Sequence, residues 1–265
     1  MTNDLFGRRS LLFLPASNPR AIDKARRARA DLVILDLEDA VKPEDKEAAR
    51  QAAVAAVAEP WPMPVGIRIN GLASDLIEAD LAAVAASAAD FIVLPRAESA
   101  EAIAAVWEPV QRGVLAMVET AAGILAAAEI AREAAGLIAG TNDLAADLRL
   151  PPDAGRAPLQ TALQSIVLAG RAAGIPVFDG VFNGLIDPDG FLAQADEGRR
   201  LGFDGKSLIH PDQIDLCHQT FAPTEAEIDR ARRLLDAASG GAERFESRMI
   251  ERMHVEAARR LLARL

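Results

Sequence analysis

The chain has 265 residues, 51% of them hydrophobic and 26% charged, with a formal net charge of −10 at pH 7. That length and composition fit a globular protein with a large core, built as one α/β barrel or as two smaller domains. The acidic balance excludes a general nucleic-acid binder but not an anionic small ligand, which needs only a local basic patch.

The start, Met1 to Arg9, is polar, and no signal peptide or apolar run of about 18 residues follows, so a cytoplasmic protein without a membrane partner is expected. Residues 10–15 read as a first buried strand. Asn18 and Pro19 then start a helix to about Ala30, with Asn as cap and Pro at the first helical position. It carries Arg20, Lys24, Arg26, Arg27 and Arg29. Strand two is 32–36, followed by Leu37, Glu38 and Asp39. Pro43 opens an Ala-rich helix to about Ala58, and the prolines at 60, 62 and 64 make a stiff connector. Strand three, 65–70, carries Arg68 and Asn70 near its end. A helix over about 75–88 leads to strand four, 91–94, and to Pro95 and Arg96. Ser99 caps the next helix, which runs to about Gln111.

Strand five is the short apolar run from Val114, ended abruptly by Glu119 and Thr120. A helix over about 121–135 gives way at Gly136 to strand six, which ends at Gly140 and is followed by Asp143 and a short turn to Leu148. The loop 150–158 holds three prolines and Arg156, is long for a βα connection, and suits a position over the site. A helix over 159–173 precedes strand seven, 176–178, and Asp179. After an irregular stretch, a helix runs to Leu201, then strand eight, 206–209, and His210 and Pro211 before the last helix of this series. Cys217 falls in that helix after Leu216. As the single cysteine it forms no internal disulfide, points to a reducing compartment, and favours inert packing over chemistry.

Eight short apolar strands alternating with helices imply parallel pairing through right-handed crossovers. About 210 residues for eight such units fit a TIM (β/α)8 barrel, with an open doubly wound sheet as the alternative. The barrel is preferred because polar residues end nearly every strand, and a barrel gathers them at one mouth: Glu38 and Asp39, Arg68 and Asn70, Arg96, Glu119, Asp143, Asp179 and His210. The barrel domain spans 1–221. Residues 222–265 form a C-terminal helical arm: Thr224 and Glu227 make a capping box for a helix to about Ala238, Ser239–Gly241 is a flexible break, and an amphipathic helix covers about 249–262. The arm has too little apolar surface to fold alone, so it packs on its own barrel or on a neighbouring subunit.

Two successive strands thus deliver Glu119 and Asp143 to one end of the sheet. Neighbouring carboxylates repel, and a hard oxygen-loving cation such as Mg2+ relieves them; the bland reading is a pair of structural carboxylates. Arg68 either bridges carboxylates or binds an anionic ligand bidentately. Glu38 and Asp39 either cap the following helix or orient Arg68 and metal-bound water. His210 reads as a structural cap more than as a base, and Lys206 stays ambiguous. The basic first helix is a solvated face or a phosphate clamp. A metal that chelates a 2-oxo or 2-hydroxy carboxylate, with an arginine to steady enolate charge, is equipment for making or breaking a C–C bond beside a carbonyl. No Ser–His–Asp pattern, Walker loop or Gly-x-Gly-x-x-Gly fingerprint accompanies it.

Over nearly its full length the chain resembles the citrate lyase β-subunit-like family of the HpcH/HpaI aldolase group. The segments that carry the resemblance are 10–15, 30–41 (ADLVILDLEDAV), 43–50, 67–70, 91–96, 117–120, 140–144 and 202–214 (GFDGKSLIHPDQI). The resemblance implies a Mg2+-dependent (or Mn2+-dependent) carbon–carbon lyase, an oxo-acid-lyase acting on a 3-hydroxyacyl-CoA such as citryl-, malyl- or citramalyl-CoA. It also implies a homo-oligomer, trimer or hexamer. Arg68 then matches the substrate-binding arginine, Glu119 and Asp143 the metal carboxylates, with Glu119 also near substrate, and Glu38 and Asp39 the acidic pair. Arg20 and Lys24 are the candidates for the CoA phosphates. Glu246 matches an aspartate that relatives offer to a neighbour's site as base. Here Glu246 is one methylene longer, and Ser247 replaces the glycine beside it. Asn142 stands where many relatives have Glu, and Arg149 where a Gly commonly follows Leu. The rival functions are a metal-dependent thioesterase, an aldolase on free hydroxy acids, and an assembly subunit of a citrate lyase-like complex.

Overall fold

Eight parallel strands close into a barrel in the computed structural model, whose described residues are 5–238, 243–246 and 248–263. The expected break at Ser239–Gly241 and the substitution at Ser247 lie outside them. The chain divides into two compact units, Met1–Phe221 and Ala222–Leu265.

In the first unit the order is β1 (Ser10–Pro15), α1 (Pro19–Ala25), β2 (Leu32–Asp36), α2 (Lys46–Ala58), β3 (Val65–Arg68), α3 (Ile77–Ala85), β4 (Phe91–Leu94) and α4 (Ala100–Val110). Then come β5 (Val114–Val118), α5 (Ala121–Leu125), α6 (Ala127–Glu133), β6 (Gly136–Ala139), α7 (Thr141–Asp147), α8 (Gln160–Ala173), β7 (Val177–Asp179), α9 (Pro188–Leu201), β8 (Gly205–Leu208) and α10 (Gln213–Phe221). Each strand pairs with the next, and β8 pairs with β1.

Period-two alternation splits the apolar residues of each strand into two cores. One side packs inside the barrel, where Leu11, Ile34, Phe91, Leu115, Ile138 and Phe178 fill the interior. The other side packs outward against the helices, as Leu12, Val33, Ile92 and Leu208 do. Gly66 on β3 makes room for that interior: a Cβ there would stand 2.2 Å from the Phe91 ring. Helix starts follow their caps. Asn18 accepts from the Ala21 N–H, Ser99 from Ala102, Thr120 from Gly123 and Asp187 from Gly190. Cys217 is buried, and desolvation pushes its thiol up to about 12, which leaves it inert at neutral pH.

Three local expectations change. Pro43 opens a 3-10 turn, and the α-helix begins only at Lys46. The helix expected over 121–135 is two helices that meet at Ala126. Asp143 is not in a turn after a strand but at the third residue of α7.

The second unit holds α11 (Glu225–Ala237), an antiparallel hairpin of β9 (Glu243–Phe245) and β10 (Arg248–Ile250), and α12 (Arg252–Leu262). The Thr224–Glu227 capping box forms as expected. The hairpin takes residues 249 and 250 out of the expected final helix. Phe245 and Ile250 are buried with Ala231, Leu234 and Ala258 in a small core, while Met249 between them and solvent is exposed. That alternation is the period of a strand.

Candidate active site

The C-terminal ends of the barrel strands surround a cavity of about 440 Å³, lined among others by Phe13, Asp36, Asp39, Arg68, Met117, Glu119, Asp143, Asn183 and Ser207. This is the end at which barrels of this type place their chemistry.

Arg68 is the last residue of β3, and the strand register sets it beside Asp36, the last residue of β2. Its Nε donates to Asp36 Oδ1 at 2.6 Å and its Nη2 to Oδ2 at 2.5 Å, a two-pronged pair with both side chains nearly buried. Nη1 pairs with Glu38 at 2.7 Å and lies 3.8 Å from Met117 Sδ. The guanidinium sits 5.4 Å from the centre of the Phe13 ring. It has five N–H donors, so it keeps capacity for a ligand while its plane is held. Both sequence readings of Arg68 are thus compatible: it bridges carboxylates and also faces the cavity. Asp36 was not among the expected site residues. The signal was its place at a strand end in phase with Arg68, legible only once the register is known. Asp36 also accepts from the Glu38 and Ala40 N–H groups, which fixes the turn that carries Glu38 and Asp39.

Glu119 directly follows β5 and is 2% exposed. One oxygen, Oε1, accepts the Arg96 backbone N–H at 2.7 Å. Arg96 holds a left-handed φ of 47°, a conformation that costs a non-glycine residue energy and that aims this N–H at the carboxylate. The other oxygen, Oε2, is buried with no hydrogen-bond partner among the described residues. Gly140 leaves the space for it, since a Cβ there would lie 2.1 Å from Oε2. Asp143 lines the same cavity and adds its negative charge. Desolvation first, and then Asp143, raise the Glu119 carboxyl to about 7 against the Arg96 hydrogen bond and the Arg68 charge. Desolvation likewise raises Glu38 to about 7 against the pull of Arg68.

Among the described residues no group of three His, Cys, Asp or Glu side chains is placed to hold a metal ion. The protein offers two carboxylates, Glu119 and Asp143, with one buried oxygen unpaired. That donor set fits a small hard cation such as Mg2+, which is usually bound by one or two carboxylates plus substrate or water oxygens. It does not fit a closed all-protein metal cage.

Other expected mouth residues serve the scaffold. Asp179 lies on the outer side of the wall beneath α9, where it binds Lys206 Nζ at 3.0 Å and Arg156 at 2.5 Å. Lys206 is fully buried there and also donates to Gly180 and Gln194. This cluster clamps the loop that carries Arg156. Asn70 binds Asp80 and Lys46 and does not line the cavity. His210 accepts from the Asp212 N–H, a local turn contact. Arg20 and Lys24 are exposed on α1, outside the cavity lining. Asn142 and Asn183 line the cavity and exchange reciprocal amide hydrogen bonds of 2.9 and 3.2 Å. In the second unit, Glu246 sits at the hairpin turn with φ 47°, exposed. Hydrogen bonding to Arg230, with help from Arg233, holds its carboxyl below the usual range.

The HpcH/HpaI aldolase/citrate lyase family matches residues 9–211. The (3S)-malyl-CoA thioesterase of Cereibacter sphaeroides (strain ATCC 17025) is 41% identical, over 97% of this chain and 94% of that protein. Citrate lyase subunit beta of Escherichia coli K12 is 35% identical, over 97% and 93%. The structure of CitE from Mycobacterium tuberculosis in complex with magnesium, acetoacetate and coenzyme A superposes with a TM-score of 0.86 at 34% identity, covering 97% of both chains.

Gly140→Ala displaces Glu119, so affinity for a divalent cation falls roughly tenfold or more while circular dichroism still reports the barrel; unchanged calorimetric affinity refutes the placement. The raised carboxyls also set a pH dependence. Folding takes up protons between pH 4.5 and about 7, so stability falls as pH rises through that window. A cation bound to the ionised site offsets the loss. Thermal melts with Mg2+ therefore show a larger gain at about pH 7.5 than at about pH 5, and Glu119→Gln loses most of that difference.

Proposed function

This chain belongs to the HpcH/HpaI aldolase/citrate lyase family, and on that premise we propose that it is a Mg2+-dependent carbon–carbon lyase. Its substrate is a 3-hydroxyacyl-CoA of the citryl-, malyl- or citramalyl-CoA type, cleaved or formed. The observation that carries this reading is the unpaired, buried Glu119 Oε2 beside Asp143 in a cavity that also holds Arg68. The magnesium and coenzyme A bound by the Mycobacterium protein support the choice of cation and thioester.

Glu119 and Asp143 hold the cation, and Mn2+ would meet the same oxygen donors. When bound, the cation supplies the positive charge that chelates and polarises the oxygens of a 2-oxo or 2-hydroxy carboxylate fragment. Arg68, held by Asp36 and Glu38, donates its remaining N–H capacity to substrate oxygen and steadies enolate charge. Because its partners fix the plane beforehand, little reorganisation accompanies reaction. Asp39, on the cavity wall, orients substrate-side water. Arg20 and Lys24, exposed on α1, meet CoA phosphates. Glu246 moves the proton, supplied by a neighbouring subunit of a homo-oligomer, and it leaves Arg230 and Arg233 to do so.

A second reading has its own support. The relative at 41% identity is named a thioesterase. Hydrolysis would use the same cation and arginine, with water attacking the thioester carbonyl in place of C–C cleavage.

Product analysis with Mg2+ and malyl-CoA separates the two readings. Cleavage yields acetyl-CoA and glyoxylate, whereas hydrolysis yields free CoA and malate. Glu119→Ala abolishes either turnover without unfolding the barrel, and retained activity removes the metal-ligand assignment. Co-expressed Glu119→Ala and Glu246→Ala chains, each inactive alone, regain activity if Glu246 acts across subunits. No recovery in mixed oligomers rejects that sharing.

A further inference from the structure

The strand β8 presents its residues in alternation. Lys206 points out to Asp179 and Gln194, and Leu208 joins the outer core. Ser207 between them faces the cavity and is 1% exposed. Its Oγ has no hydrogen-bond partner among the described residues. By contrast, Ser10 Oγ meets His218 and the Asp31 N–H, and Thr120 Oγ1 caps α5. An unpaired hydroxyl in a strand interior is costly to keep, and natural proteins satisfy most such groups.

Ser207 and Glu119 Oε2 are thus two unpaired oxygens lining one cavity, on strands three apart around the barrel. The surroundings differ. The Glu119 side is charged, with Asp143, Arg68 and Asp39 acting on it. Around Ser207, β8 continues into Ile209, and its neighbours β1 and β7 lead to the uncharged lining residues Phe13, Val181 and Asn183, with the Phe13 ring reaching to 5.4 Å from the Arg68 guanidinium. The nearest cation along its own strand, Lys206, is committed outside the wall. A neutral oxygen acceptor would find a buried donor in a low-dielectric setting.

We propose that the Ser207 hydroxyl is a substrate-binding group that donates a hydrogen bond to the thioester carbonyl oxygen, so that the cavity has a neutral thioester subsite distinct from its charged oxo-acid subsite. This rests on the reading of the chain as an acyl-CoA enzyme. Ser207 forms no bond to carbon. It orients the acyl group by adding a neutral donor to the carbonyl oxygen, while the enolate charge itself is steadied by Arg68. It therefore acts in either reaction.

The test is calorimetric titration of the full chain with Mg2+ present, using acetyl-CoA and glyoxylate as separate probes, on the wild type, Ser207→Ala and Ser207→Thr. In Ser207→Ala, acetyl-CoA binding and kcat/KM for malyl-CoA fall roughly tenfold or more. Glyoxylate binding is unchanged, and the Tm holds or rises because an unpaired buried hydroxyl is gone. Ser207→Thr, which keeps the hydroxyl, recovers part of the loss. Unchanged acetyl-CoA binding in Ser207→Ala overturns the proposal, and so does an equal loss for glyoxylate or a lowered Tm with losses across both probes. A wild type that binds glyoxylate and Mg2+ but neither binds acetyl-CoA nor turns over malyl-CoA overturns the acyl-CoA reading itself, and this inference with it.

Discussion

The mouth of the barrel depends on one buried ion pair. Arg68 and Asp36 end adjacent strands in register and face each other with two short hydrogen bonds. Removing Arg68 would leave Asp36 buried without its counter-charge, which is far costlier than an exposed pair is worth. With Arg68 fixed, Glu38 and Met117 fall into place around it, and the turn after β2 is tied through Asp36. The cavity then holds one guanidinium among Asp36, Asp39, Glu119 and Asp143. That excess of negative charge is what a cation would relieve.

The carboxylate at the centre of the site is set by backbone rather than by side chains. Glu119 is placed by the Arg96 N–H, presented through a left-handed residue, and by the absence of a side chain at Gly140. Both arrangements leave the second oxygen free and dry. A desolvated carboxylate next to another carboxylate is poorly stabilised as an anion, and the upward shift of Glu119 records it. The rest of the wall is rigid for a different reason. Outside the barrel, Lys206, Asp179 and Arg156 form a buried network that anchors the long loop before α8. It contributes order to the rim without entering the cavity.

Much of the fold is legible in the amino-acid order because local signals agree with one another. The strand at 10–15, the caps at Asn18 and Ser99, and the Thr224–Glu227 box appear where the residues place them. So does the gathering of Arg68, Glu119 and Asp143 at one cavity, since parallel strands bring their C-terminal ends to one rim. The hairpin of the second unit was less legible, because Met249 and Ile250 suit an amphipathic helix as well as a strand until Phe245 pairs with Arg248.

Alternation along each strand and the caps between them determined the barrel and the end at which its polar residues meet, because those patterns are local and periodic. Only the tertiary structure decided which polar residues face inward. Asp179 and Asp36 both end short apolar strands, yet one lies outside the wall and the other within the cavity. Ser207 and Lys206 are sequence neighbours with opposite orientations. The choice rests on strand register and barrel closure, which set the face of every side chain through contacts distant in the chain.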